Sequence, residues 1–387
     1  MTFASSNRSA INIVEETVLG VTPATPTLKA LRFKGESLNY NLSNISSDEI
    51  RSDRNTANLI QVKSDVAGDI DFELSYLTFE DLIEGALAND WTTLFTFTGT
   101  NVSTTSGTPD LITSATAGFV AGGLVVGQWV QVSGFTNPAN NGFFRLSAVS
   151  ATQLSVVQTT IVTESAGASV TIKGCKIRNG TALKSYTVQR QLADVTQFFN
   201  YLGCVVNTLS LDFKTGQILT GKVGLMGMSS TNSGSQIAGA TITPANSNTP
   251  MNAVSNVASV LQDYSTMTAK FNSLTVNLSN NVRAQTAIGT LGNVGMALGK
   301  VEVTGNIELY FEDSTMYTKY INATAFSLSF VVQDASSQTY IVTIPNAKFE
   351  SGSVVAGGLD TDIMFSATWR GIYDATSGCS IQIDKFA

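Results

Sequence analysis

Apolar and polar residues alternate with a period of two at several places along this chain, and each such place predicts a strand with one covered and one open face. Ser37-Leu38-Asn39-Tyr40-Asn41-Leu42-Ser43 is one of them. The clearest follows, where Asp69, Asp71, Glu73 and Ser75 alternate with Ile70, Phe72, Leu74 and Tyr76, so that one face is apolar and the other strongly acidic. Further short strands are predicted at 128–132, 154–157, 185–189, 209–213 and 218–226. After Thr78 the period becomes helical. Thr78 and Asp81 resemble a capping box, and Leu82, Ile83, Ala86 and Leu87 predict one helix over about 79–90.

Between these segments the pattern lapses. Residues 1–30 read as an extended arm that needs another surface to lie on, because Pro23 and Pro26 deny helix while Ile11, Ile13, Val14 and Val18 recur without a period. A polar loop is expected from Asn44 to Ala67, long enough to suggest contact with a partner. From 100 to 174 the chain turns to Gly, Ser, Thr and Val with few charges and a turn-rich stretch at Asn137–Gly142, which reads as a small inserted all-β, Ig-like domain. Residues 229–250 read as a linker, and the Gly-rich stretch from Gly289 to Gly299 as a flexible loop.

Two echoes point to an internal duplication. Ser37-Leu38-Asn39-Tyr40-Asn41-Leu42-Ser43-Asn44 returns 236 positions later as Ser273-Leu274-Thr275-Val276-Asn277-Leu278-Ser279-Asn280. Gly68-Asp69-Ile70-Asp71-Phe72 returns 237 positions later as Gly305-Asn306-Ile307-Glu308-Leu309. The series continues with a helix in 312–325 and strands at 326–333, 340–349 and 363–370. The expected fold is mainly β: two sandwich modules, each with a flanking helix, plus the insert. The first module takes 31–99 and 175–228, the insert 100–174, and the second module 251–387, with the arm 1–30 and the linker 229–250 outside them.

Composition narrows the chemistry. At 387 residues two or three domains are expected. Charged residues make up only 13%, as on a surface that neighbours will cover, and the net charge of −7 with scattered cations leaves no footprint for gripping nucleic acid. The three cysteines, Cys175, Cys204 and Cys379, are far apart and odd in number, which fits free buried thiols. Met1 to Arg8 has no apolar run, and no stretch approaches the length of a membrane span, so synthesis in the cytosol is expected. There is no histidine, which removes the commonest general acid–base group and the His-dependent nucleophile and zinc sites, and no phosphate-binding GxxxxGK[ST] loop. Asp69, Asp71 and Glu73 could share a cation or serve as a glycosidase pair. Yet Glu302, Thr304, Asn306, Glu308 and Glu312 repeat the pattern opposite Val303, Ile307, Leu309 and Phe311, and a catalytic pair would not need to appear twice. No catalytic, cofactor or metal site is expected. Phe198, Phe199, Tyr201 and Trp91 read as core, and Arg51 and Arg54, among Asp48, Glu49 and Asp53, as ion-pairing or solvated loop residues.

The first hundred residues resemble the tail tube proteins of bacteriophages with long, non-contractile tails. The likeness rests on Val14-Glu15-Glu16-Thr17 followed by Gly20 and Thr22-Pro23, then Leu31-Arg32-Phe33 with Gly35-Glu36-Ser37-Leu38. It continues with Ile50-Arg51 and Arg54, Gly68 opening the acidic strand, and the helix Glu80–Ala88 ending near Trp91. The resemblance implies a non-enzymatic virion tail component, assembled in the host bacterial cytoplasm, whose sheets pair edge to edge into stacked rings around a channel for double-stranded DNA. On it, Asp69, Asp71, Glu73, Glu302 and Glu308 are expected to face the channel and repel the passing genome without binding it tightly. Asp48, Glu49, Arg51, Asp53 and Arg54 are expected at ring–ring contacts. The doubling implies trimeric rings of pseudo-six-fold symmetry, with hexamers as the alternative, and partners among other tail proteins but no membrane. A tail tip or fibre module that binds a receptor or carbohydrate is the competing reading, and a capsid or decoration protein a third.

Overall fold

A computed structural model of the chain describes residues 3–267 and 269–387. The first half opens with β1 (Ser9–Glu16), β2 (Thr27–Leu31), β3 (Gly35–Glu36), β4 (Asn39–Ser46) and β5 (Leu59–Glu73), then helix α1 (Glu80–Leu87). Seven strands follow: β6 (Phe95–Gly99), β7 (Val102–Thr105), β8 (Asp110–Ser114), β9 (Trp129–Ser133), β10 (Gly142–Val149), β11 (Gln153–Val156) and β12 (Val170–Gly174). The half closes with β13 (Lys176–Arg178), β14 (Ser185–Leu192), β15 (Gln197–Lys214), β16 (Thr220–Gly227) and β17 (Ser229–Ser233). Past β18 (Thr241–Thr243) come β19 (Val257–Gln262), β20 (Ser265–Thr266), β21 (Phe271–Ser279), β22 (Arg283–Gln285), β23 (Gly295–Ala297) and β24 (Glu302–Tyr310). Helix α2 (Thr315–Ile321), β25 (Phe326–Gln333), β26 (Thr339–Val355), β27 (Met364–Gly371) and β28 (Gln382–Phe386) complete the chain.

Strands with one apolar stripe must bury it against a second layer. In the first half, β3 and β4, β5, β16 and the C-terminal part of β15 make one layer. The second layer is β2, β1, β14, the N-terminal part of β15, and β17. The second half repeats this plan with β21, β24, β27 and the C-terminal part of β26 facing β19, β25, the N-terminal part of β26, and β28. Helix α1 packs across β15 and α2 across β26. The mainly β architecture expected from the alternation is what forms.

Each long strand changes layer at a β-bulge. In β15 the extra residue is Asn207, between Val206 opposite Leu225 and Thr208 opposite Gly224; in β26 it is Glu350, between Phe349 opposite Trp369 and Ser351 opposite Thr368. Aligned on these bulges, Gly68 falls on Gly305, the 237-residue offset of the second echo. The first echo is two residues out of register, because Asn39 lies opposite Ala67 as Asn277 lies opposite Thr304, an offset of 238. A slip of two leaves every side chain on its own face.

The halves meet edge to edge. β15 pairs antiparallel with β21, from Thr208 opposite Ser279 to Lys214 opposite Ser273. The first-named layers of the two halves therefore fuse into one eight-stranded surface in the order β4–β5–β16–β15–β21–β24–β27–β26.

Strands β6 to β12 form a separate sheet around a core that includes Ile112, Phe119, Val130, Leu154 and Ile172. Chain order places this segment after α1, yet it docks on the second half. Trp129 is buried with Val331, Ile341 and Phe386. Its indole N–H donates to the Thr343 hydroxyl at 3.0 Å, and its backbone N–H donates to the Asp384 carboxylate at 3.2 Å. Gln382 donates to the Gly127 carbonyl at 3.0 Å and to Asp384 at 2.6 Å, while Arg178 donates to the Val126 carbonyl at 2.7 Å. Burial pushes the Asp384 carboxyl up to about 7, against the pull of Gln382, Arg145 and the Trp129 N–H.

Four expectations need correction. The stretch read as an arm holds β1 and β2, with β1 paired to both β14 and β2; its period is masked because Ile11, Asn12 and Ile13 are all buried, so both faces are covered. The polar loop 44–67 is largely a β-ribbon, with β4 and β5 paired out to Ser46 opposite Leu59 and only 47–58 as the turn. The linker 229–250 contributes β17 beside β15 and β18 in parallel with β2. Within the Gly-rich stretch, Gly295–Ala297 pairs with Arg283–Gln285, and Asn293 reaches the Gly227 carbonyl at 3.2 Å.

Candidate functional site

The eight-stranded surface has one face packed into the core and one open. On β5, Phe72, Ile70 and Val66 point into the core while Asp69, Asp71 and Glu73 are partly exposed on the other side. On β24, Val303, Ile307 and Leu309 are buried while Glu302 and Glu308 lie on the open side. The pairing carries both sets onto one face: Asp71 is opposite Lys222, Lys222 opposite Ser210, Ser210 opposite Asn277, and Asn277 opposite Thr304. The five carboxylates singled out from the sequence are thus brought to one surface, in two groups separated by β16, β15 and β21.

Cations sit among them, Lys300 at 3.6 Å from Glu302 for one. Lys222 Nζ lies 3.5 Å from Asp69 and 3.3 Å from Asp71, and the hydrogen bond it donates to Asp71 together with the two negative charges raises the lysine above its usual range. Arg370 pairs with Glu350 and lies 3.5 Å from Glu302. Glu308 accepts from the Asn272 amide at 2.6 Å. Asp212, opposite Thr220 and Thr275, joins the same face, and burial raises its carboxyl despite Lys222. Sequence reading passed over Asp212, although Ser210 and Asp212 alternate with Leu209, Leu211 and Phe213 in the same way as the acidic strand does. Counted by strand parity and ion pairing, the open face carries Asp65, Asp69, Asp71, Glu73, Asp212, Glu302, Glu308 and Glu350 against Lys63, Lys214, Lys222, Lys300, Lys348 and Arg370, a narrow acidic excess.

Among the described residues, both ends of the surface lack a strand partner on one side. At one end β4 has β5 on one side only; at the other the C-terminal part of β26 has β27 on one side only. Beyond the sheet, the turn of the β4–β5 ribbon carries Asp48, Glu49, Arg51, Asp53 and Arg54. Arg51 and Asp53 pair at 2.7 Å, which holds the Asp53 carboxyl well below the usual carboxylate range. The other three have no ion-pair partner among the described residues.

Elsewhere the chemistry is structural. Cys175, Cys204 and Cys379 are buried and unpaired, and burial raises each thiol. Phe198 and Tyr201 are buried, and Trp91 packs against the main core with Lys385 over its ring at 4.1 Å. Among the described residues no group of His, Cys, Asp and Glu is placed to hold a metal ion, and no helix is long and apolar enough to cross a membrane.

A comparison with curated proteins finds no match. A family model described as phage tail tube protein matches residues 6–371, from just before β1 through the end of β27, and so spans nearly the whole chain. The β-rich double sandwich and its open-edged surface are accordingly those of a structural component of the virion tail, and the chain belongs to the phage tail tube protein family.

Proposed function

We propose that three copies of this chain close into a ring through the two free edges of the eight-stranded surface, and that stacked rings form the tube. The pairing of β15 with β21 carries this reading, since it is a module-to-module junction already made inside one chain. On the bulge alignment, β26 is the counterpart of β15, and the β3–β4 strand the counterpart of β21. The same junction between chains would set Ser351 to Val355 of one copy antiparallel to 37–41 of the next, with Ser353 opposite Asn39 as Ser210 is opposite Asn277. Head-to-tail pairing of this kind leaves no free edge once the ring closes. Eight strands from each of three chains give about 24, and at ~4.8 Å spacing and a tilt near 40° the backbone diameter is about 48 Å. Such a cylinder admits duplex DNA with its side-chain lining in place.

In this ring the acidic face lines the channel. Carboxylates gain nothing from phosphate, whereas every cation that neutralised one would add affinity through counterion release, so the lining lets double-stranded DNA slide during genome ejection. Self-association and contact with other tail proteins, assembly in the host cytoplasm, a long non-contractile tail, and an Ig-like insert at residues 100–174 on the outside of the ring complete the proposal. The experiment is charge reversal. Particles whose tube carries Asp69→Lys, Asp71→Lys, Glu302→Lys and Glu308→Lys should assemble yet eject DNA slowly or incompletely, and ejection at the wild-type rate would count against the assignment.

A further inference from the structure

The β4–β5 ribbon carries exposed apolar residues past the end of its own sandwich. Ile45 and Ile60 stand opposite one another and are exposed, as are Val62 and Leu59; the register shift at Val62 sets Ile45 and Ile60 on the face that carries Asp65. At the turn Ile50 is 98% exposed. β16 ends with Gly227 opposite Val66, and the β21–β24 connection covers the buried Ser64, so the ribbon from Lys63 out to Leu59 extends about 13 Å further at ~3.3 Å per residue. Exposed apolar residues held out on a ribbon call for a covering surface.

The opposite end of the molecule has the complementary shape. β16 starts with Thr220 opposite Glu73, and the β15–β16 turn therefore lies at the end away from the ribbon. There Phe213, Val257, Val260, Phe271, Leu274 and Phe330 line a cleft of about 130 Å³. That is close to the ~150 Å³ of an apolar cavity that accepts benzene, and suits one aliphatic side chain. Exposed Lys214 lines its rim and exposed Lys270 precedes the lining Phe271, while among the described residues the ribbon turn presents Asp48 and Glu49 unpaired beside Ile50. Ribbon and cleft lie at opposite ends, so they cannot meet within one chain, and a head-to-tail contact between copies propagates as an open stack. Their numbers match at one of each per chain. The β21–β24 connection does not compete as a second ribbon: it folds back onto the first half, where the Ser64 N–H donates to the Leu291 carbonyl at 2.9 Å.

We propose that Ile50 enters the cleft between β15 and β21 of a copy in the next ring, and that Asp48 and Glu49 meet Lys214 and Lys270 there. The proposal rests on the tube reading above and supplies the receptor for the ribbon turn. Polymerisation of the full-length protein, followed by sedimentation and negative-stain microscopy, tests it. Ile50→Asp should leave rings intact and raise the concentration needed for tubes by roughly tenfold or more. Lys214→Glu with Lys270→Glu should weaken polymerisation likewise, and adding Asp48→Lys and Glu49→Lys should restore it. Tubes of Ile50→Asp at the wild-type concentration, or a charge swap that fails to rescue a folded ring, would overturn this contact alone. Wild-type protein that forms neither rings nor tubes would overturn it together with the tube reading.

Discussion

Gly68 and Gly305 occupy the same place in the two halves because a neighbouring strand passes too close for any side chain. A Cβ added at Gly68 would sit 2.4 Å from the Ser37 carbonyl oxygen, and one at Gly305 would sit 2.1 Å from that of Thr275. Both obstacles are backbone, so relief requires moving a strand. Gly305→Ala is expected to cost on the order of 1–3 kcal/mol in denaturant unfolding, and an unchanged midpoint would show that β21 has room to retreat. Asp384 stores a different cost. Its folded-state value of about 7 lies above the ~3.9 of an unfolded aspartate, so the folded chain holds the proton more tightly. The stability linked to this group is thus fully present below about pH 4 and is lost as pH rises through about 7. Asp384→Asn should flatten that decline in thermal melts between about pH 5 and 7.5. A slope that persists in the variant would place the responsible proton elsewhere.

At the scale of elements, the strands with one wet face were legible and those with none were not. β5 and β24 announce themselves because Asp69, Asp71, Glu302 and Glu308 mark the open side at every second position. β25 is buried at seven of its eight positions and shows no face, so its place follows from the echo of the first half, and β14 is covered on both faces over Ser185–Gln189. β1 was missed for the same reason, with Asn12 buried between Ile11 and Ile13. Register escaped the sequence by two residues at the first echo, since parity survives such a slip and only the partner strand distinguishes the alternatives. The docking of the inserted segment was beyond reach altogether, because it joins Trp129 to Thr343 and Asp384 across more than half the chain. Trp129→Ala should release that segment while its own core around Val130, Ile172 and Leu154 persists. Limited proteolysis is then expected to cut faster between α1 and β6 and near Cys175, and equal rates in variant and wild type would mean that the polar contacts of Gln382 and Arg178 hold it unaided.

For the whole molecule, the open edges decide what the chain can become. Charge is sparse, at 13% of residues, so solubility as a monomer is not what the surface favours, and an unpaired β4 and β26 are templates for strand addition. Addition without geometric control would give indefinite aggregates; the junction inside the chain shows which control is available. Ser210 and Asn277 stand opposite one another on the open face where β15 meets β21, and Ser353 and Asn39 hold the corresponding places on the two free edges. Directly opposed residues have Cβ atoms about 4.5–5.5 Å apart, near enough for a disulfide with slight adjustment. A chain carrying Ser353→Cys and Asn39→Cys should therefore cross-link on mild oxidation, and the three native thiols, all buried, should stay out of the reaction. If the ring is a trimer, the non-reducing ladder ends at three chains, because the third bond closes the circle. A ladder that runs to six would mean a hexamer of whole chains, and one that stops at two would mean that the edges meet symmetrically, which neither a ring nor a tube could use.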